Sequence, residues 1–167
     1  AGMFSDDQRL PADVTQEALL AEVGRMNDDP HVHGILVQLP LPRHLDEQAV
    51  IRAILPEKDV DGFTPVNIGR MLIGEPCFLP CTPHGIIQML LRAGVATDGR
   101  HAVVVGRSNI VGKPVAHLLM RKAPGGNATV TVCHTGTRDL ASFTRQADIL
   151  VVAAGRPGTV TGAMVKP

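Results

Sequence analysis

Residues 106–112, GRSNIVG, have the composition of a turn that binds phosphate. They lie between an apolar run that ends in glycine and a helical pattern, which is the context of a dinucleotide-binding turn. Gly106 can make the tight turn, and a helix that starts near Ile110 can offer N–H groups and a positive dipole end to a phosphate. The stretch departs from G-x-G-x-x-G, because Ser108 replaces the second glycine and Gly112 comes one residue late. The alternative is a plain turn from strand to helix.

The residues after the next apolar run decide between NAD and NADP. An NAD-binding fold often has an acid there that binds the ribose 2′-hydroxyl. Here residues 133–138 read CHTGTR, with no acid, and Arg107 follows the first glycine. Guanidinium and hydroxyl groups favour a 2′-phosphate, so the sequence predicts NADP, although Arg107 can also be a solvated surface residue. The predicted cofactor contacts are Gly106, Arg107, Ser108, Ile110, His134, Thr135, Thr137, and Ala154 and Gly155 after a third apolar run.

Gln38 is an uncharged amide near the end of an apolar run, residues 34–39, that we predict to be a strand. Pro40 and Pro42 follow it and cannot donate to a strand ladder. A side chain at this point either contacts a ligand or satisfies a buried loop.

Two carboxylates stand close together in EKDVDGF, residues 57–63. Such a pair can serve acid–base chemistry or a metal, but Asp-Gly is also a common turn. We favour the turn for Asp59 and leave Asp61 open. Zinc is a weak alternative nearby, because the group Cys77, Cys81 and His84 lacks a second pair at ligand spacing.

The elements that must position these residues change character along the chain. In the first part we predict a helix over 13–26 with a capping box from Asp13 to Gln16, and a helix from Asp46 that ends at Pro56. A loop over 56–81 and a helix from Thr82-Pro83 to Gly94 follow. From residue 101, apolar runs alternate with helical patterns as strand, helix, strand, helix, strand. This order predicts three parallel strands in a doubly wound α/β fold.

Composition excludes several classes of protein. The 167 residues are 44% apolar with a formal net charge of zero, so we expect a globular chain that binds neither nucleic acid nor a membrane. No apolar stretch reaches transmembrane length. Three scattered cysteines suit a reducing compartment better than a disulfide scaffold.

Six stretches in order resemble the bifunctional methylenetetrahydrofolate dehydrogenase/methenyltetrahydrofolate cyclohydrolase family. They are GILVQLPLP, EKDVDGF, PCTPHGI, VVVGRSNIVGKP, ATVTVCH and DILVVAAGRPG, and they span nearly the whole chain. The resemblance implies two α/β domains with a cleft between them: residues 1–81 as part of a folate-binding catalytic domain and residues 82–167 as a Rossmann-type NADP domain. It also implies a homodimer in the cytoplasm that oxidises 5,10-methylenetetrahydrofolate and hydrolyses the methenyl product to 10-formyltetrahydrofolate.

The resemblance also implies roles for three residues of the first domain. Gln38 matches an active-site glutamine that works beside a lysine. Asp61 matches the aspartate that holds the pterin ring of the substrate. Pro40 would shape the wall of the cleft.

One part of the family pattern has no match. The family's catalytic lysine lies in a Tyr-x-x-x-Lys motif, but the chain has no tyrosine, and its lysines fall in other motifs. We therefore expect a longer protein, in which a last strand and a C-terminal helix follow residue 167. Two alternatives are an NADP-binding fragment without catalysis and an unrelated Rossmann protein.

Overall fold

A computed structural model describes residues 2–166. Its helices are α1 (Gln16–Asp28), α2 (Glu47–Ala53), α3 (Pro65–Ile73), α4 (Cys81–Arg92), α5 (Gly112–Met120) and α6 (Leu140–Thr144). Its strands are β1 (His101–Val105), β2 (Thr129–Cys133) and β3 (Ile149–Val152), and a short 3₁₀ helix covers Gly162–Met164. None of the described helices is long and apolar enough to cross a membrane.

The three strands form a parallel sheet in the order β2-β1-β3, which confirms the predicted strand–helix alternation. The central strand β1 is rich in valine, and a strand covered on both faces needs such a continuous apolar run. Ala102 and Val104 point into a core shared with α4 and α5. Val103 and Val105 belong to a second cluster with Cys133 on the other face. Helices on both sides therefore hold the sheet in place.

The first part of the chain builds a separate apolar cluster around α1 and α2, with Ile35 at its centre. Asp46 caps α2 as predicted, since its carboxylate accepts the N–H of Ala49 at 3.0 Å. The predicted capping box from Asp13 to Gln16 is wrong, because Thr15 caps α1. The side chain of Gln16 instead accepts the N–H of Asp46 at 2.8 Å and ties the two helices together.

The predicted strand over 34–39 is also wrong beyond its first residues. Only one parallel bridge forms, between Ile35 and Asp59, with the N–H of Ile35 donating to the carbonyl of Lys58 at 2.7 Å. The pairing stops there because the partner segment turns away at Gly62, which has a positive φ of 66°. Residues 36–39 form neither helix nor strand, and the Leu39–Pro40 peptide bond is cis.

The region predicted as loop over 56–81 contains helix α3. Thr64 caps it and Pro65 occupies its first turn, which is the same Thr-Pro signal that we assigned to Thr82-Pro83 further along. Helix α4 begins two residues earlier than predicted, at Cys81 after Pro80 rather than at Pro83 after Thr82, and Gly94 follows its end with φ 67° as expected.

Met71 of α3 belongs to the core that covers the sheet, and Cys77 and Leu79 pack against it. The division of the chain at residues 81 and 82 stays a prediction.

Candidate cofactor and substrate site

The loops after the three strands meet at one edge of the sheet. The N–H of Gly106 donates to the carbonyl of Cys133 at 2.8 Å, and the N–H of Ala153 donates to the carbonyl of Val105 at 2.7 Å. The predicted cofactor residues on all three loops are therefore neighbours at the carboxyl ends of the strands. Open parallel sheets bind their ligands at this edge.

Both glycines of the turn permit close backbone contacts. Gly106 has φ 125°, and a Cβ there would overlap the carbonyl oxygen of Ala153. A Cβ on Gly112 would overlap the carbonyl oxygen of Gly106. Gly112 thus lets the start of α5 lie directly against the end of β1. The third glycine of a dinucleotide-binding turn has the same packing role.

Ser108 replaces a glycine of the pattern and takes a structural role. Its hydroxyl accepts the N–H groups of Val111 and Gly112, each at 3.2 Å. The expectation that a helix starting near Ile110 presents its first amides is therefore wrong: α5 begins at Gly112, and Ser108 already occupies the amides at that start.

The loop before the helix offers donors instead. Among residues 2–166, the backbone N–H groups of residues 107–110 find no acceptor. Consecutive free amides in a turn form a concavity that binds anions. The free amides of this loop, including that of the exposed Ile110, could therefore bind a phosphate group.

Residues 134–137 after β2 form a closed turn. The N–H of His134 donates to the hydroxyl of Thr137 at 2.8 Å, and the N–H of Thr137 returns to the carbonyl of His134 at the same distance. The imidazole Nδ1 of His134 accepts the N–H of Gly136 at 3.1 Å. Thr135 is exposed at the tip of this turn.

Arg107 brings a positive charge to this edge. Arg107 is exposed, and its side chain makes no hydrogen bond or ion pair within the described part of the chain. The first acid after β2 is Asp139, whose carboxylate accepts the N–H of Ser142 at 3.2 Å and caps α6. That acid is therefore committed to the helix.

Asp59 is buried, with 2% of its surface exposed, and its carboxylate is fully used. It accepts the N–H groups of Phe63 and Thr64 and the side-chain amide of Asn67, at 3.2, 2.8 and 2.9 Å. These contacts tie the loop to the start of α3. The interpretation of Asp59 as a turn residue agrees with this arrangement.

Asp61, two residues later, is half-buried and accepts no backbone N–H within residues 2–166. Burial raises the pKa of its carboxyl, more than the neighbouring Cys81 thiol lowers it. Burial and the Asp61 carboxylate also raise the pKa of that thiol, whose Sγ lies 3.7 Å from the carbonyl oxygen of Val60. Because no N–H group of the described residues donates to it, the Asp61 carboxylate can accept N–H donors from a ligand.

Gln38 is exposed, and its side-chain amide donates to the carbonyl of Leu39 at 3.1 Å. Pro40 beside it is exposed as well. The neighbours of Gln38, Val37 and Leu39, line one small apolar pocket together with Asp61. The structure therefore brings both neighbours of Gln38 and Asp61 to one pocket, with the Gln38 side chain outside it.

Sequence reasoning missed the role of Lys58. Its ammonium donates to the carbonyls of Met26, Asn27 and Asp29 at 2.6–3.0 Å and closes the C-terminal end of α1. A lysine can satisfy the last carbonyls of a helix, but nothing local in EKDVDGF indicates that a helix 30 residues earlier ends there. Within the described residues, no three His, Cys, Asp or Glu side chains lie close enough to hold a metal ion.

Comparison with known proteins places these features in a family. Residues 1–61 match the catalytic-domain model of tetrahydrofolate dehydrogenase/cyclohydrolase, and residues 80–167 match its NAD(P)-binding-domain model. A bifunctional protein FolD from Syntrophus aciditrophicus is 59% identical over 99% of this chain, which covers 56% of that relative. The chain thus spans about half the length of the curated relatives it matches.

Two solved structures share the fold at substantial identity. The bifunctional FolD enzyme of Campylobacter jejuni is 46% identical with a TM-score of 0.87, covering 93% of this chain and 54% of its own. The FolD enzyme of Trypanosoma brucei, solved with NADP cofactor and inhibitor, is also 46% identical with a TM-score of 0.87, and the match covers 94% of this chain and 53% of that one. The chain therefore belongs to the tetrahydrofolate dehydrogenase/cyclohydrolase family.

Proposed function

We propose that this chain forms the cofactor-binding half and part of the folate site of an NADP-dependent methylenetetrahydrofolate dehydrogenase that is also a methenyltetrahydrofolate cyclohydrolase. The observation that carries the proposal is the meeting of three strand-end loops around four free amides, in a chain of this family. Residues 1–81 belong to the catalytic domain and residues 82–167 to the cofactor domain.

The cofactor site supports NADP over NAD. The free amides of residues 107–110 suit the pyrophosphate, and the unpaired Arg107 suits a 2′-phosphate through charge-assisted hydrogen bonds. Asp139, the one acid near the end of β2, caps α6 and is not available to a ribose hydroxyl. The FolD enzyme of Trypanosoma brucei was solved with NADP, which agrees with this choice.

The folate site is built around Asp61. A carboxylate can accept two N–H bonds from the amino-pyrimidine edge of a pterin, and among residues 2–166 no N–H group donates to Asp61 in competition with them. Its neighbour Asp59 cannot serve, because its oxygens already accept three N–H groups. Gln38 and Pro40 belong to the wall of the same site, and Gln38 can release the Leu39 carbonyl to contact a reacting group.

The reaction has two steps in one site. The strand-end loops would hold NADP⁺, whose nicotinamide ring would supply the hydride acceptor for the methylene carbon of 5,10-methylenetetrahydrofolate. The residues of this chain then act by position: Asp61 holds the pterin, and the strand-end loops hold the cofactor against it, since alignment of donor and acceptor carbons is the main contribution a protein makes to such a transfer. Water would then add to the methenyl carbon of the cation and lose a proton, and cleavage of the bond from this carbon to N5 would open the ring to 10-formyltetrahydrofolate.

The test is a pair of measurements. NADP and NAD are titrated into this chain by calorimetry, and NADPH formation from 5,10-methylenetetrahydrofolate is followed in the protein that contains this sequence. NADP binding with turnover supports the proposal. NADP binding without turnover would favour the alternative of a binding module, and absence of binding would contradict both.

We also propose that the protein works as a homodimer in the cytoplasm, as the family resemblance implies. Analytical ultracentrifugation of the purified protein tests the first part. A single species of monomer mass at micromolar concentration would contradict it.

A further inference from the structure

His134 was predicted to contact the cofactor, but the structure commits its ring to its own turn. Nδ1 accepts the N–H of Gly136 at 3.1 Å, so the ring carries its proton on Nε2. A Cβ on residue 136 would lie only 3.1 Å from the ring carbon Cε1, so the imidazole lies directly over Gly136.

The backbone of the same turn is closed by two further hydrogen bonds. The hydroxyl oxygen of Thr137 accepts the N–H of His134, and the N–H of Thr137 donates to the carbonyl of His134, both at 2.8 Å. Three internal bonds over four residues leave little freedom at Thr135, the exposed residue between them. Its hydroxyl and amide are not used by the turn.

We propose that His134 is a positioning residue that sets the preference for NADP by holding Thr135 toward the 2′-phosphate. The inference rests on the proposed function, because it assumes that the cofactor lies at this edge. It assigns different roles to neighbours: His134 and Thr137 fix the turn, and Thr135 and Arg107 meet the phosphate.

The geometry makes the roles separable by substitution. The bond from Gly136 to Nδ1 has the i to i+2 form that an asparagine or aspartate side chain makes in a turn. His134→Asn therefore keeps the acceptor, His134→Leu removes it, and His134→Asp keeps it while adding a negative charge beside the 2′-phosphate.

The experiment measures the dissociation constants of NADP and NAD for the chain and these variants. We expect His134→Asn to stay within about twofold of wild type for both cofactors, and His134→Leu to bind NADP about five- to tenfold more weakly with a smaller effect on NAD, as for one lost hydrogen bond. His134→Asp should weaken NADP about tenfold or more and leave NAD within about twofold, because the added charge repels only the 2′-phosphate.

The matched control is His33→Leu, which alters an exposed histidine with no hydrogen bond among residues 2–166 and should leave both constants unchanged. The amide of Gly136 is followed by NMR in each variant, and it should exchange faster with solvent in His134→Leu than in wild type or His134→Asn.

An unchanged preference in His134→Leu, or a His134→Asn variant as weak as His134→Leu, would overturn the inference and leave the proposed function standing. A wild-type chain that binds neither cofactor would overturn the proposed function, and this inference with it.

Discussion

The loop around Asp59 and the loops at the carboxyl edge of the sheet divide their polar groups in the same way, between internal hydrogen bonds and groups that face a ligand. In the first, Asp59 accepts three N–H groups and thereby leaves Asp61 without any. In the second, Ser108 accepts the two amides that begin α5, while those of residues 107–110 stay free. In each region, one polar side chain forms hydrogen bonds within the protein, and a neighbouring group stays available to a ligand.

The two regions differ in whether the available group accepts or donates hydrogen bonds. The first leaves a carboxylate, which accepts N–H donors, and the second leaves amides and the Arg107 guanidinium, which donate to phosphate. Under the proposed function, this difference separates a site for a pterin edge from a site for a dinucleotide. It also predicts that substitutions of committed groups reduce stability and that substitutions of open groups reduce binding.

The largest effect is expected at the committed carboxylate. Asp59→Ala removes the acceptor of two buried donors and one partly buried donor and should lower the free energy of unfolding by about 3–5 kcal/mol. Urea denaturation followed by circular dichroism measures it. The matched control is Asp61→Ala, which should change the free energy of unfolding by less than about 1 kcal/mol. Equal losses in the two variants would remove the distinction between the carboxylates.

For substrate binding, we expect substitution of Asp61 to have a larger effect than substitution of Asp59. In the protein that contains this sequence, Asp61→Ala should raise the KM for 5,10-methylenetetrahydrofolate by about 10- to 100-fold, since a charge-assisted pair contributes about 1.5–3 kcal/mol. Asp61→Asn keeps the size and half of the acceptor capacity and should fall between. Steady-state kinetics at saturating cofactor decide the matter, and an unaltered KM in Asp61→Ala would mean that the residue serves only the turn at Gly62.

A smaller effect is expected at the open guanidinium. Arg107→Ala should weaken NADP by about tenfold and NAD by less than about twofold, because Arg107 meets only the 2′-phosphate. Arg107→Lys keeps the charge without the fork geometry and should recover part of the difference. Loss of both cofactors to the same extent would show that Arg107 does not discriminate between them.

The smallest effect concerns pH. Burial raises the pKa of the Asp61 carboxyl, so its ionised fraction falls at a higher pH than that of an exposed aspartate. Pterin binding needs the ionised form, and the KM for the folate should therefore rise as the pH falls through this raised pKa. In Asp61→Asn this rise of KM at low pH should disappear. If wild type and Asp61→Asn had the same pH profile of KM, another group would be responsible for the rise.

The sequence predicted the second of the two regions far better than the first. The strands β1, β2 and β3 are short valine-rich runs separated by helical patterns, and their pairing follows from the right-handed crossover rule, so local pattern and topology agree. The run over 34–39 has a similar pattern but finds only one bridge, because the partner segment is bent by Asp59 and Gly62. That bend depends on contacts with α3, which the sequence did not reveal.

The site residues divide in the same way. The glycines at 106 and 112 were interpretable because a turn between strand and helix requires them locally. The hydroxyl of Ser108 accepts amides at the start of α5, and the ammonium of Lys58 donates to carbonyls at the end of α1, 30 residues away. Only the folded chain defines the positions of these partners. The residues alone also left Asp61 open beside Asp59, and the family resemblance was needed to select it.

The most direct test of the account is an NMR titration of this chain with NADP, with the backbone amides assigned. The account predicts that NADP shifts the amides of residues 107–110 and Thr135 first and most strongly, that NAD shifts residues 107–110 with lower affinity, and that the amides around Asp59 do not respond to either. Shifts concentrated elsewhere, or equal affinities for NAD and NADP, would contradict it.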